Sequence, residues 1–176
     1  MKNQSYNKTN YDIVVVGAGP AGSATAIILA QAGYRVAIID SISPRRPKVG
    51  ESITAATMRL LRRIGINSLS DLLTSNQYKP CVANVSAWGS NQWVYQDAIQ
   101  NPEGHGWHIN RKQFDKALLR RAIEHKGVFI KGKLRTVQKN KEGYAINWFR
   151  SDKKKSNAII HTKWIIDATG RASKVA

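Results

Sequence analysis

The chain has 176 residues, of which 42% are apolar, enough for one domain with a core, and general disorder is excluded. A single cysteine, Cys81, excludes an intrachain disulfide and stands without zinc-ligand spacing, while the apolar run from Ile13 to Val16 is too short for a signal-peptide core or a membrane span. The net charge of +17 is compatible with an anionic cofactor, substrate, membrane or nucleic acid, but no aromatic platform or recognition helix accompanies the cations, so they are read as solvated surface. The expectation is a soluble, cytoplasmic protein with no membrane partner and no nucleic-acid role.

Residues 1–10 are expected to form a flexible polar amino terminus, and 11–176 one domain with no internal repeat or linker. From Tyr11 the order is an apolar strand, a glycine-rich turn from Gly17 to Gly22, an alanine-rich helix ending at Gly33, and a second strand from Arg35 to Asp40. The first strand is apolar without alternation, as a parallel strand covered on both faces must be. This is a βαβ unit. A basic loop from Ser41 to Gly50 leads to an expected helix that starts near Ser52, presents Ile53, Leu60, Leu61 and Ile64 on one face, and closes at Gly65. A short helical turn is expected around Leu72, and irregular strands and loops from Ala83 to Ile109.

Asn110 is expected to cap a helix with Gln113 reaching back, and Phe114, Leu118, Leu119 and Ala122 form its buried face as far as Gly127. Val128 to Ile130 reads as a third parallel strand. Gly132 to Val137, Gly143 to Phe149 and Asn157 to His161 read as a small antiparallel meander, with Lys153, Lys154 and Lys155 at a hairpin tip. Trp164 to Ile166 returns as an apolar strand that stops at Asp167. The fold class expected is α/β, Rossmann-like, with a parallel sheet, helices on its faces and the meander beside it.

Gly17, Gly19 and Gly22, with Ala18, Pro20 and Ala21 between them, spell G-x-G-x-x-G where a strand becomes a helix. Gly17 permits the tight turn, Gly19 lets backbone approach a diphosphate, and Gly22 lets the helix pack closely, while the helix start offers amides and partial positive charge to phosphate. Asp40 ends the second strand at the expected distance, where its carboxylate can accept the hydroxyls of an adenosine ribose. An acid there argues against a 2′-phosphate, hence against NADP, and leaves NAD and FAD both open.

Three further segments carry a family resemblance: Gly50-Glu51-Ser52, then Gly106 to Arg111 running into Lys112-Gln113-Phe114-Asp115, then Asp167-Ala168-Thr169-Gly170-Arg171-Ala172-Ser173. With the glycine turn, this ordered set resembles the flavin-dependent monooxygenases and tryptophan-halogenase-like oxidoreductases. The resemblance implies FAD as cofactor, with Glu51 and Ser52 near the flavin or its ribityl chain, Arg111 beside the cofactor, and Thr169 and Gly170 in a turn close to the diphosphate. It also implies a small-molecule substrate, a flavin reductase or a missing carboxyl-terminal segment as partner, and reduced flavin that activates dioxygen. The chain stops at Ala176, before that family's substrate-covering sheet and later Gly-Asp motif, so it is expected to be an amino-terminal part that is inactive alone. The Trp-x-Trp-x-Ile-Pro motif of halogenases is absent, and Val85 to Gly89 supplies no matching lysine, Lys79 lying several residues away. Catalytic residues are not identified. Asp115 is read as a helix-terminus residue, and His105 and His108 as surface or packing residues. Two rival expectations are an NAD-binding dehydrogenase domain and a truncated, non-catalytic remnant whose basic surface binds a polyanion.

Overall fold

The computed structural model describes residues 10–41, 52–150 and 157–175. The polar arm through residue 9, most of the basic loop, Glu51 and the lysines at 153–155 lie outside the described residues. In chain order the elements are β1 (Asn10–Val16), α1 (Pro20–Gln31), β2 (Val36–Asp40), β3 (Ser52–Ile53), α2 (Ala56–Arg62), β4 (Tyr78–Cys81), β5 (Ala83–Ser86), β6 (Val94–Asp97), β7 (Gly106–Ile109), α3 (Arg111–Glu124), β8 (Val128–Asn140), β9 (Gly143–Arg150) and β10 (Asn157–Asp167). They fall into two compact units, Met1–Arg46 with Leu118–Ala176, and Pro47–Ala117.

In the first unit the strand pairings close into a ring, β1-β10-β9-β8-β2. β1 lies between β2 and β10, and β2 between β1 and β8, all parallel. β9 pairs antiparallel with both β8 and β10. This corrects the expectation of a parallel sheet with a separate meander: β8 and β10 are each one continuous strand that serves both arrangements. β8 gives Val128 to Lys131 to β2 and Gly132 to Asn140 to β9, with an irregularity between Leu134 and Thr136. Gly132 does not break the strand. A Cβ there would collide with the Trp148 ring and lie 2.8 Å from the Phe149 carbonyl oxygen, so the glycine permits a close approach and not a turn.

One parity of the strands supplies a cluster built from Val14, Val16, Ala37, Ile39, Ile130, Ile146, Trp148 and Ile160. The other parity of β1 and β2, including Val15 and Ile38, is equally buried, on strands that α1 contacts with Ala26 and Ile27 also buried. Burial on both faces is why β1 reads Ile-Val-Val-Val without alternation. Each such side chain contributes roughly 1.5–3 kcal/mol by leaving water.

The second unit holds an antiparallel sheet in the order β3-β7-β4 and a separate β5-β6 hairpin. Here one expectation fails. Ser52 and Ile53 are extended and pair with His108 and Trp107, and the helix begins only at Ala56. Ser52 is therefore a strand residue and not a helix cap. Leu61 and Ile64 are buried as expected, whereas Leu60 is exposed. The turn near Leu72 appears as a 3-10 segment, Leu69–Asp71, capped by the Ser68 side chain. α3 starts as expected: Asn110 Oδ1 accepts the Gln113 amide at 3.1 Å, and Phe114, Leu118, Leu119 and Ala122 are buried.

Candidate functional site: a glycine turn at three strand ends

The carboxyl ends of β1, β2 and β10 are brought side by side by parallel pairing, with Val16 opposite both Ile39 and Asp167. Two backbone bonds carry the register past the strands: Gly17 N–H donates to the Ile39 carbonyl and Ala168 N–H to the Val16 carbonyl, each at 2.8 Å. Ligands of open α/β sheets bind at this edge, where loops leave the strands and helix starts point outward.

The three glycines have separable roles. Gly17 has φ +108°, and a Cβ on it would run into the Ala168 carbonyl. Gly22 lies against Gly17, whose carbonyl a Cβ at position 22 would strike. Both are required by internal packing. Gly19 differs, since a Cβ there would meet nothing within 4 Å, so its smallness leaves backbone open to a ligand. Gly19 is also the N-cap of α1 and contributes no side-chain cap; Pro20 opens the helix and Ser23 N–H donates to the Gly19 carbonyl at 2.9 Å. A helix start with no acid in its first turn and no capping side chain presents its amides and positive dipole end to an anion.

Asp40 reaches back across this turn. Its Oδ2 accepts the Ala18 amide at 2.7 Å, tying the end of β2 to the middle of the glycine turn. On the other side of β1, Asp167 organises the third turn: its Oδ1 accepts from Thr169 N–H at 2.9 Å and from the Thr169 hydroxyl at 2.6 Å, and its Oδ2 from Val175 N–H at 3.0 Å. Thr169 Oγ1 in turn accepts from Lys174 N–H at 3.0 Å. The Thr169 side chain thus serves its own turn, and Gly170, at φ +65°, has open space where a side chain would stand. Sequence reasoning placed Thr169 and Gly170 here but did not assign Asp167 its role, although an acid two residues before a threonine is a recognisable turn-closing pattern. At the opposite ends of the same strands Arg35 grips Asp12 with three hydrogen bonds of 2.9–3.1 Å. The Arg35 side chain, then its amide, hold the Asp12 carboxyl down at about 2.

The remaining candidates lie in the second unit or at its edge. Ser52 Oγ and His108 Nδ1 share a hydrogen bond of 2.9 Å across the β3–β7 pair. His105 donates to the Gly106 carbonyl and packs edge-on against Trp107 with ring centres 4.4 Å apart. Arg111 Nε donates to Asp115 Oδ1 at 2.7 Å, one helical turn on, where Asp115 is buried. Cys81 is half-buried, with Sγ 3.6 Å from the Ala83 carbonyl oxygen. Among the described residues no group of three metal-ligating side chains occurs, and no helix is long and apolar enough to cross a membrane.

Three parallel strand ends, an uncapped helix start, a ligand-open glycine and an acid at the end of β2 together fit a dinucleotide, and define a dinucleotide-binding α/β protein. Residues 10–176 match the family described as FAD binding domain, and the chain belongs to that family, whose cofactor is FAD. It is 27% identical over 167 residues to the tryptophan 2-halogenase of Chondromyces crocatus, covering 93% of this chain and 31% of that protein. Among solved structures it resembles the myxobacterial chondrochloren halogenase CndH, with TM-score 0.81, 22% identity and coverage of 94% and 38% of the two chains. It also resembles p-nitrophenol 4-monooxygenase PnpA from Pseudomonas putida, with TM-score 0.72, 18% identity and coverage of 91% and 41%. The chain spans about a third of the length of the curated relatives it matches.

Proposed function

We propose that the FAD diphosphate lies over Gly17, Ala18, Gly19, Pro20, Ala21 and Gly22 at the start of α1, that Asp40 takes the adenosine ribose, and that the Thr169–Gly170 turn flanks the diphosphate. The observation that carries this reading is the combination at Gly17, Gly19 and Gly22: two positions closed by internal packing and, between them, one open to a ligand. Pro20 removes one amide and pre-sets the first helical φ, leaving the Ala21 and Gly22 amides to face the phosphates. The Asp40 bond to Ala18 holds the turn in place before any ligand arrives. Family resemblance supports assigning Glu51 and Ser52 to the flavin or its ribityl chain and Arg111 to a place beside the cofactor.

For a polypeptide that carries the remainder of the relatives' length, we propose an oxygenase of the monooxygenase type, acting on a small organic substrate in the cytoplasm with a separate flavin reductase as partner. FAD held at this site would supply the redox chemistry, passing electrons from its reduced form to dioxygen. What this chain's residues do is bind the cofactor, orient it and exclude water around it. Relatives named as flavin-dependent halogenases support a flavin as the redox group; the lack of a lysine in Val85 to Gly89 keeps halogenation out of the proposal. The test is an absorbance spectrum and a flavin-fluorescence titration of the purified chain. Saturable FAD binding that NAD does not displace supports the reading, and failure of this chain and of a carboxyl-terminally extended version to bind flavin overturns it.

A further inference from the structure

The turns that leave β1 and β10 touch, and they touch at the two glycines that internal packing closes. A Cβ on Gly17 would run into the Ala168 carbonyl and stand 3.1 Å from the Thr169 nitrogen, and one on Gly22 would stand 3.1 Å from the Ala168 Cβ. Ala168 is also bonded to β1, its N–H donating to the Val16 carbonyl at 2.8 Å. The residue after Asp167 is thus a wall of the glycine turn. A shift of the β10 turn is passed through this packing to the backbone on either side of Gly19.

A single carboxylate holds the β10 turn. Asp167 Oδ1 accepts the Thr169 amide and hydroxyl, and its Oδ2 accepts the amide of Val175, eight residues on, at 3.0 Å. The Thr169 hydroxyl, while it donates to Asp167, accepts the Lys174 amide at 3.0 Å. Leaving the strand needs only the local bond to Thr169. The reach to Val175 does more, because it ties the segment after Gly170 back to the strand end and so fixes where Gly170 stands. Between Thr169 and Val175, Ser173 is held at φ +36° and ψ 60°, a left-handed conformation that a residue other than glycine keeps only where its surroundings impose it. Every group that Asp167 meets in these bonds is a donor, which suits a carboxylate and not an amide, whose NH2 would face one of them. Resting on the cofactor reading above, we infer that Asp167 is a positioning residue for the FAD diphosphate. It acts through its neighbours, setting Ala168 against Gly17 and Gly22 on one side and the Thr169–Gly170 backbone on the other.

The test uses the whole chain and three ligands: FAD, ADP, which keeps the diphosphate and adenosine, and adenosine alone. Asp167→Asn and Thr169→Val should each weaken FAD and ADP by the same factor, roughly tenfold or more, with adenosine affinity unchanged. Thr169→Val removes only the hydroxyl from the network, so it decides the matter even where Asp167→Asn fails to fold. Asp71 gives the matched control, since its Oδ2 accepts the Asn67 and Ser68 amides at 2.8 and 3.1 Å in a turn of the second unit. Asp71→Asn should lower the denaturant midpoint and leave all three affinities as they are. If Thr169→Val and a folded Asp167→Asn behave as Asp71→Asn does, or weaken adenosine as much as ADP, the inference is overturned. A wild-type chain that binds neither FAD nor ADP overturns the cofactor reading and this inference with it, so the two failures are told apart.

Discussion

The carboxylate of Asp40, the last residue of β2, accepts the amide hydrogen of Ala18, in the middle of the glycine turn, at 2.7 Å. One side chain therefore shapes the turn as well as standing where the ribose is proposed to bind. Hydrogen bonds to a charged group contribute about 1.5–3 kcal/mol, so Asp40→Ala should weaken FAD binding roughly 10- to 100-fold. Asp40→Asn keeps an acceptor for Ala18 and should lose less. Equal flavin-fluorescence titrations for wild type and Asp40→Ala would remove Asp40 from the cofactor site.

The glycines separate folding from binding. Gly17→Ala and Gly22→Ala push a methyl group into backbone carbonyls, and Gly17 adds a left-handed φ, so each should destabilise the chain by about 3 kcal/mol or more. Gly19→Ala meets open space. It should unfold at nearly the wild-type denaturant concentration while its FAD affinity falls, because the added methyl occupies the proposed diphosphate position.

Arg35 lowers Asp12, whose carboxyl titrates at about 2 instead of 3.8. A depressed carboxyl stabilises the fold above its ordinary value, and that contribution is lost as pH falls from about 4 through 2. Arg35→Ala should bring the Asp12 titration, followed by carbon-detected NMR, back toward 3.8 and flatten the stability curve in that window. Both groups face solvent, so raised salt should shrink the effect in the wild type.

Arg111 donates to a buried carboxylate, Asp115. Arg111→Ala should cost about 2 kcal/mol of stability in urea unfolding, with Arg111→Lys intermediate because an ammonium reproduces the charge but not the planar fork. Loss of FAD affinity at unchanged stability would instead give Arg111 to the cofactor alone.

Much of this site could be read from local signals. Gly17 to Gly22, Asp40 and the Asp167-to-Gly170 turn are fixed by backbone geometry within a few residues, and that geometry restricts residue type. Ser52 was misread because its partner, His108, lies 56 positions away. Nothing local distinguishes a serine that caps a helix from one that begins a short strand, and Ile53 falls in with the helical spacing of Leu60, Leu61 and Ile64. The separation expected between Ile130 and Gly132 is absent for the opposite reason: only the Trp148 ring on the neighbouring strand shows that Gly132 marks crowding within one continuous strand. The closure of the ring was also illegible, because it depends on β8 and β10 outlasting their parallel partners, and strand length is set by pairing and not by pattern.

The pairing of β1 with β10 also sets a timetable for biogenesis. Asn10 meets His161, and Val16 meets Asp167, across about 150 residues of intervening chain. Because synthesis runs from the amino terminus, the Ile13-to-Val16 segment leaves the ribosome long before the strand that completes its hydrogen bonding exists. For that interval one edge of this apolar segment is open, which makes nascent chains targets for chaperones and for intermolecular strand pairing. Slowing translation within the codons for β10, Asn157–Asp167, should therefore reduce yield more than slowing it within α3, even though no residue is changed.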